Sequence, residues 1–151
     1  MVIIFLFHIL CLFPDKIQLV LRGEDIFEDL DSTQTDELWR PEFASYMLEG
    51  TPGQPYGSTL KDLLKVEKSM IRRRRQVEEK LDSDEYLISY STFPRLGCPL
   101  FTSPEYTINN PVKDNPLTES EFFPEGAINR HPRFGTLARN IRNRRGRKVQ
   151  I

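Results

Sequence analysis

The chain has 151 residues, the size of one domain, with 21 Lys and Arg against 22 Asp and Glu and a formal charge of −1. Hydrophobic content of 38% and charged content of 28% lie near the globular average, while eleven prolines and a mean hydropathy of −0.47 point to many turns and exposed loops. Two cysteines exclude a disulfide framework or a four-ligand zinc site and favour a reducing, cytoplasmic compartment.

Met1 to Phe13 is apolar apart from His8, yet it is shorter than the roughly 20 residues of a membrane span. Pro14 and Asp15 follow directly, where a signal peptide would have a small-residue cleavage site. A buried strand or a misplaced upstream start is therefore favoured over secretion or anchoring. Lys16 to Arg22 alternates polar and apolar residues and ends at Gly23, the pattern of a half-buried strand. Glu24 to Asp31 places Ile26, Phe27 and Leu30 for a short helix, and Ser32 to Thr35 reads as a polar loop.

Residues 38 to 57, LWRPEFASYMLEGTPGQPYG, set Glu42 and Glu49 around a half-apolar run that closes in a Pro/Gly turn at Thr51 to Gly57. Hard divalent ions such as Mg²⁺ take one or two carboxylates together with substrate phosphates, so the pair suggests nucleotide chemistry. Phe43 to Leu48 reads as a strand. Residues seven apart in a regular strand lie about 23 Å apart on opposite faces, whereas neighbouring catalytic metals lie about 3.5 to 4 Å apart. A shared site thus predicts a bend near Phe43 to Ser45, with Glu42 outside the strand proper.

Ser58 is placed to cap a helix reaching Lys80, whose Leu60, Leu63, Leu64, Met70, Ile71, Val77 and Leu81 are spaced for one buried face. Arg72 to Arg75 read as its solvated face, with Arg74–Glu78 and Arg75–Glu79 as i, i+4 pairs, in preference to a nucleic-acid contact. Glu85 to Phe93 is a further strand, and the prolines and asparagines of Gly97 to Pro116 make that stretch loop. Cys98 within it reads as a small buried residue, since nothing nearby would activate it as a nucleophile. A last helix spans Phe134 to Arg145, with Phe134, Leu137, Ala138 and Ile141 inward, Arg139, Arg142 and Arg144 outward, and Gly146 as its stop. His131, beside Pro132, reads as a capping or packing residue. Arg130 to Ile151 holds seven Arg and one Lys with no acid, but Phe134 is its one aromatic residue, so stacking on bases is not favoured.

Residues 38 to 57 closely resemble the R-P-E-(Y/F)-x-x-(Y/F)-M-(I/L)-E-(G/A)-T-P signature of eukaryotic glutamate–cysteine ligase, also called gamma-glutamylcysteine synthetase. STFPRLGCPLFT at 91 to 102 and EFFPEGAINRHPRFGTLARNIRNRRGRKV at 121 to 149 resemble the same catalytic subunit, in order. The resemblance covers roughly residues 17 to 151, which it makes an N-terminal portion of a catalytic domain, leaving 1 to 16 as an atypical apolar segment. Catalytic chains of the family are several times longer, so it implies a fragment.

The implied fold is α/β (α+β), part of a glutamine-synthetase-like antiparallel sheet with covering helices, incomplete here. The implied reaction joins the γ-carboxylate of L-glutamate to L-cysteine through γ-glutamyl phosphate, using ATP and Mg²⁺, as the first step of glutathione biosynthesis. Two glutamates of the family's metal cluster fall on Glu42 and Glu49, and Arg133 and Arg145 are candidates for substrate or nucleotide contacts. A modifier subunit is a further expected partner; nucleic acid and membrane are not. The family's first acidic pair, in G-D-E-x-E, has no counterpart, because apolar Phe5 to Cys11 stands there. The isolated chain is accordingly expected to be inactive, and the alternative is a noncatalytic truncated paralogue that binds a ligase subunit.

Overall fold

The structure, a computed structural model, describes residues 5–13, 16–31, 36–106 and 124–147. Met1 to Ile4 of the apolar segment, the Ser32 to Thr35 loop and positions 107 to 116 of the predicted loop lie outside these residues. A six-stranded, largely antiparallel sheet is built on β1 (Phe5–Phe13), so the described part of the apolar segment is a strand, one of the two readings its composition favours. β1 pairs with β2 (Lys16–Val20) through Leu10 to Phe13 and with β4 (Met47–Pro52) through Phe5 to His8. β5 (Glu85–Ile88) pairs with His8 to Cys11. Since His8 is shared by β4 and β5, and Leu10 and Cys11 by β2 and β5, β5 runs along one edge of β1. β2 and β4 follow one another along the other.

β3 (Glu37–Pro41) extends the sheet beyond β4, and the two-residue β6 (Thr102–Ser103) adds a parallel strand beside β2. The predicted strand at Phe43 to Leu48 is thus corrected. Two strands flank a turn at 42 to 46, and Thr51 and Pro52 belong to β4 rather than to the turn that follows. The predicted strand from Glu85 to Phe93 holds only as far as Ile88.

Strand alternation divides the core between two faces. Phe7, Ile9, Trp39 and Leu48 point to the face covered by α1 (Gly23–Asp31) and α2 (Leu60–Glu78), meeting Ile26, Leu30 and Val77. Leu10, Leu19 and Tyr46 turn to the opposite face, where Phe93, Phe101 and Ala127 cover them.

Helix α2 departs from its predicted orientation. Its buried side is Val66, Ser69, Arg73 and Val77, while Leu60, Leu63, Leu64 and Ile71 are exposed. Arg73 is therefore no part of a solvated face: its side chain is fully buried, with Nη1 3.9 Å from the buried Glu37 carboxylate. Arg72 reaches the same carboxylate at 2.8 Å, and the predicted Arg74–Glu78 pair forms at 2.8 Å. Thr59 rather than Ser58 caps the helix, exchanging hydrogen bonds with Asp62 in a capping box.

α3 (Pro132–Arg145) stops at Gly146, whose φ of 66° is the left-handed conformation that glycine adopts without strain. It buries Phe134, Ala138 and Arg142, and Leu137 is 53% exposed. The inward stripe runs at i, i+4 and i+8, so Arg142 lies inward, where its aliphatic stem can pack. A short 3₁₀ turn, Glu125–Ala127, precedes α3.

Candidate functional site

The β3–β4 hairpin carries the paired glutamates. In β3 the order Glu37, Leu38, Trp39, Arg40 alternates buried and exposed, and Pro41, lacking an N–H, ends the ladder. Antiparallel register sets Arg40 opposite Glu49. Since Leu48 and Trp39 face the helices, Glu49 and Arg40 project from the opposite face. The predicted bend exists as the 42 to 46 turn, which leaves Glu42 just outside β3.

Glu42 and Glu49 lie side by side. Burial first, and then the neighbouring Glu42 carboxylate, push the Glu49 carboxyl above its ordinary value, and a side-chain hydrogen bond with Glu42 adds to the effect. Arg40 and Arg133 pull it back toward the ionised form. Two half-buried carboxylates that repel one another form a site a divalent cation would relieve, which fits the one or two carboxylates Mg²⁺ takes from protein. Among the described residues no group of three or more His, Cys, Asp or Glu is placed to hold a metal.

The turn is fixed by distant parts of the chain. Ser45 N donates to Ala127 O at 2.9 Å, Asn129 N donates to Phe43 O at 2.9 Å, and Ala44 bridges Ile128. Gly23 N donates to Ser45 O at 2.6 Å. A Cβ at Gly23 would lie 2.7 Å from that oxygen and 2.9 Å from Met47 O, so only glycine allows this approach. Glu24 joins the segments by accepting from Ser45 Oγ at 3.3 Å and from Arg130 N at 2.6 Å.

Arg133 is brought to the pair. Its guanidinium donates to Pro41 O at 3.0 Å and lies 4.4 Å from the centre of the Phe134 ring. Arg145 is not: it is exposed in the last turn of α3, about 18 Å along the helix from Arg133. His131 caps α3, its Nδ1 accepting from Arg133 N at 3.3 Å, as its place beside Pro132 predicts. Cys98, expected to be buried, is exposed, because it follows the open turn at Pro94 to Gly97. Sequence reasoning missed Arg40 and Glu24. Arg40 joins the site through register, Glu24 through a contact spanning 106 residues, and neither is visible in local spacing.

A family model described as glutamate-cysteine ligase matches residues 12–151. The glutamate–cysteine ligase catalytic subunit of Mus musculus is 49% identical over 142 residues, which cover 90% of this chain and 22% of that protein. The Homo sapiens subunit is likewise 49% identical, over 146 residues covering 90% and 22%. Glutamate–cysteine ligase of Dictyostelium discoideum is 39% identical over 143 residues, covering 91% of this chain and 22% of its own length. The chain thus spans about a fifth of these relatives.

Proposed function

The chain belongs to the glutamate–cysteine ligase family, and we propose on that premise that it forms part of an enzyme joining the γ-carboxylate of L-glutamate to L-cysteine. The reaction proceeds through γ-glutamyl phosphate made from ATP and opens glutathione biosynthesis, in the cytoplasm. Glu42 and Glu49 hold Mg²⁺, which supplies charge neutralisation for the triphosphate. Arg40 and Arg133 favour the ionised form of Glu49, and Arg133 also ties the turn to α3.

The observation carrying this reading is the Glu42–Glu49 pair itself, which the hairpin brings together on the sheet face that α1 and α2 leave open. Arg145 is proposed as a contact for substrate or nucleotide only where further chain folds over the end of α3. Two carboxylates alone do not complete a nucleotide site, so the isolated chain is inactive. Incubated with ATP, Mg²⁺, glutamate and cysteine, it should form no γ-glutamylcysteine. Supplied with the part of a ligase that it does not match, it should form the dipeptide, and Glu42→Gln or Glu49→Gln should cut the rate by about 100-fold. Robust synthesis by the isolated chain, or a restored enzyme indifferent to both substitutions, would refute this reading.

The second reading, a noncatalytic partner of a ligase subunit, including a modifier subunit, is favoured by one observation: the apolar stripe that α2 leaves exposed.

A further inference from the structure

On the side of α2 turned away from the sheet, Leu60, Leu63, Leu64 and Ile71 are 73%, 57%, 67% and 44% exposed. At 3.6 residues per turn they fall within about 100° of one another around the helix, on a different side from Val66, Ser69, Arg73 and Val77, on which the helix is seated, and the exposed Glu67 lies among them between Leu64 and Ile71. Scattered exposed leucines need no explanation, but three leucines and an isoleucine gathered on one side of an amphipathic helix mark a contact surface. Lys61, Lys68 and Arg75, all exposed, run along one border of it.

Three occupants fit an apolar stripe with a basic border, and two are disfavoured. Antiparallel pairing with a second copy would set the basic border of one helix against the same border of the other, a like-charge juxtaposition that opposes association. An anionic membrane would meet Glu67, Glu78 and Glu79, which are exposed on the same helix. A ligase polypeptide is favoured by length, because the chain spans only 22% of its relatives, and the remaining bulk of such a protein must pack against this part.

We propose that the stripe from Leu60 to Ile71 is the seat for the part of a glutamate–cysteine ligase polypeptide that this chain does not match, which presents there an apolar surface with an acidic border. The proposal rests on the family reading above and adds the surface through which the two parts join.

The test is co-expression of this chain with a tagged Mus musculus catalytic subunit lacking the matched stretch, followed by purification through the tag. The chain should co-purify, and a Leu60→Glu, Leu64→Glu double variant should be retained at least about 10-fold less. Both positions are exposed, so the isolated double variant should melt as the parent does. Equal retention of parent and variant, or none of the parent, overturns the proposal. A chimera in which this chain replaces the matched stretch of the mouse subunit gives a second measurement. Maleimide should label Leu64→Cys, followed peptide by peptide in a mass spectrometer, about 10-fold more slowly in the chimera than in the isolated chain; equal rates overturn the proposal. So does self-association of the isolated chain, or its binding to phosphatidylserine vesicles, if the double variant abolishes it. Leucine-dependent capture without γ-glutamylcysteine formation would sink the ligase reading and leave this surface standing. Synthesis indifferent to the double variant would do the reverse.

Discussion

At the scale of single residues, the hairpin makes Glu49 harder to ionise, first by burying its carboxyl and then by setting Glu42 beside it. A raised carboxyl has a fixed sign in linkage. Its contribution to stability is full below the ordinary carboxylate value of 4.5 and is lost as pH rises through the raised value. At neutral pH the ionised Glu49 carboxylate therefore works against the fold, and Mg²⁺ should relieve it. Millimolar Mg²⁺ should raise the melting temperature of the parent chain and leave that of Glu42→Gln unchanged. In carboxyl NMR titrations the same variant should bring the Glu49 midpoint back down. A Glu49 midpoint unmoved by Glu42→Gln would show that the carboxyls do not interact. Arg73 presents the opposite case, a buried cation whose stem passes 3.3 Å from where a Gly50 Cβ would lie, beside the Trp39 ring. Arg73→Ala removes that packing and one counter-charge of the buried Glu37, so urea unfolding should show a loss of about 3 kcal/mol.

Among the elements, α2 shows how much local chemistry decides. Thr59 and Asp62 satisfy backbone donors at its first turn, and hydrogen bonds from Thr59 and Lys65 hold the Asp62 carboxyl down at about 2. A depressed carboxyl stabilises above its ordinary value of 3.8, and that contribution is lost as pH falls toward about 2. Thr59→Ala should cost about 1 kcal/mol at neutral pH, measured by thermal melting, and the cost should shrink in acid. The helix was legible in the sequence because its apolar spacing and charge pattern are local, although its cap is Thr59, one residue beyond the Ser58 that the sequence suggests. Its orientation was not, because two faces compete. Leu60, Leu63 and Leu64 make the stronger apolar signal, but the side that docks is fixed by Val66, Val77 and the Glu37–Arg73 contact 36 residues apart. The hairpin escaped for a related reason. Its link holds no Gly or Asn–Gly pair to announce a turn, and FASYM is rich in aromatic residues that suit a strand. Ala127, Ile128 and Asn129 hold the turn in place of local turn chemistry.

Across the whole molecule, β1 is the organising strand, paired with β2, β4 and β5 and contributing Phe7, Ile9 and Leu10 to the two core clusters. Native-state hydrogen exchange should accordingly be slowest at the amides of His8, Leu10 and Cys11, which are flanked by strands on both edges, and faster in β3 and β6 at the margins. Uniform protection along the sheet would contradict that ranking. The sequence by itself determined the α/β composition, the three helices among the described residues, the strand character of Phe5 to Phe13, and the family. All of these rest on residue types at short spacing. Tertiary structure alone decided that Glu42 and Glu49 meet, that Arg40 and Arg133 oppose the rise at Glu49, that Arg145 stands apart, and which side of α2 faces outward. Each of those outcomes depends on strand register or on contacts between distant segments, and side chains that meet across a sheet leave no trace in the order of their neighbours along the chain.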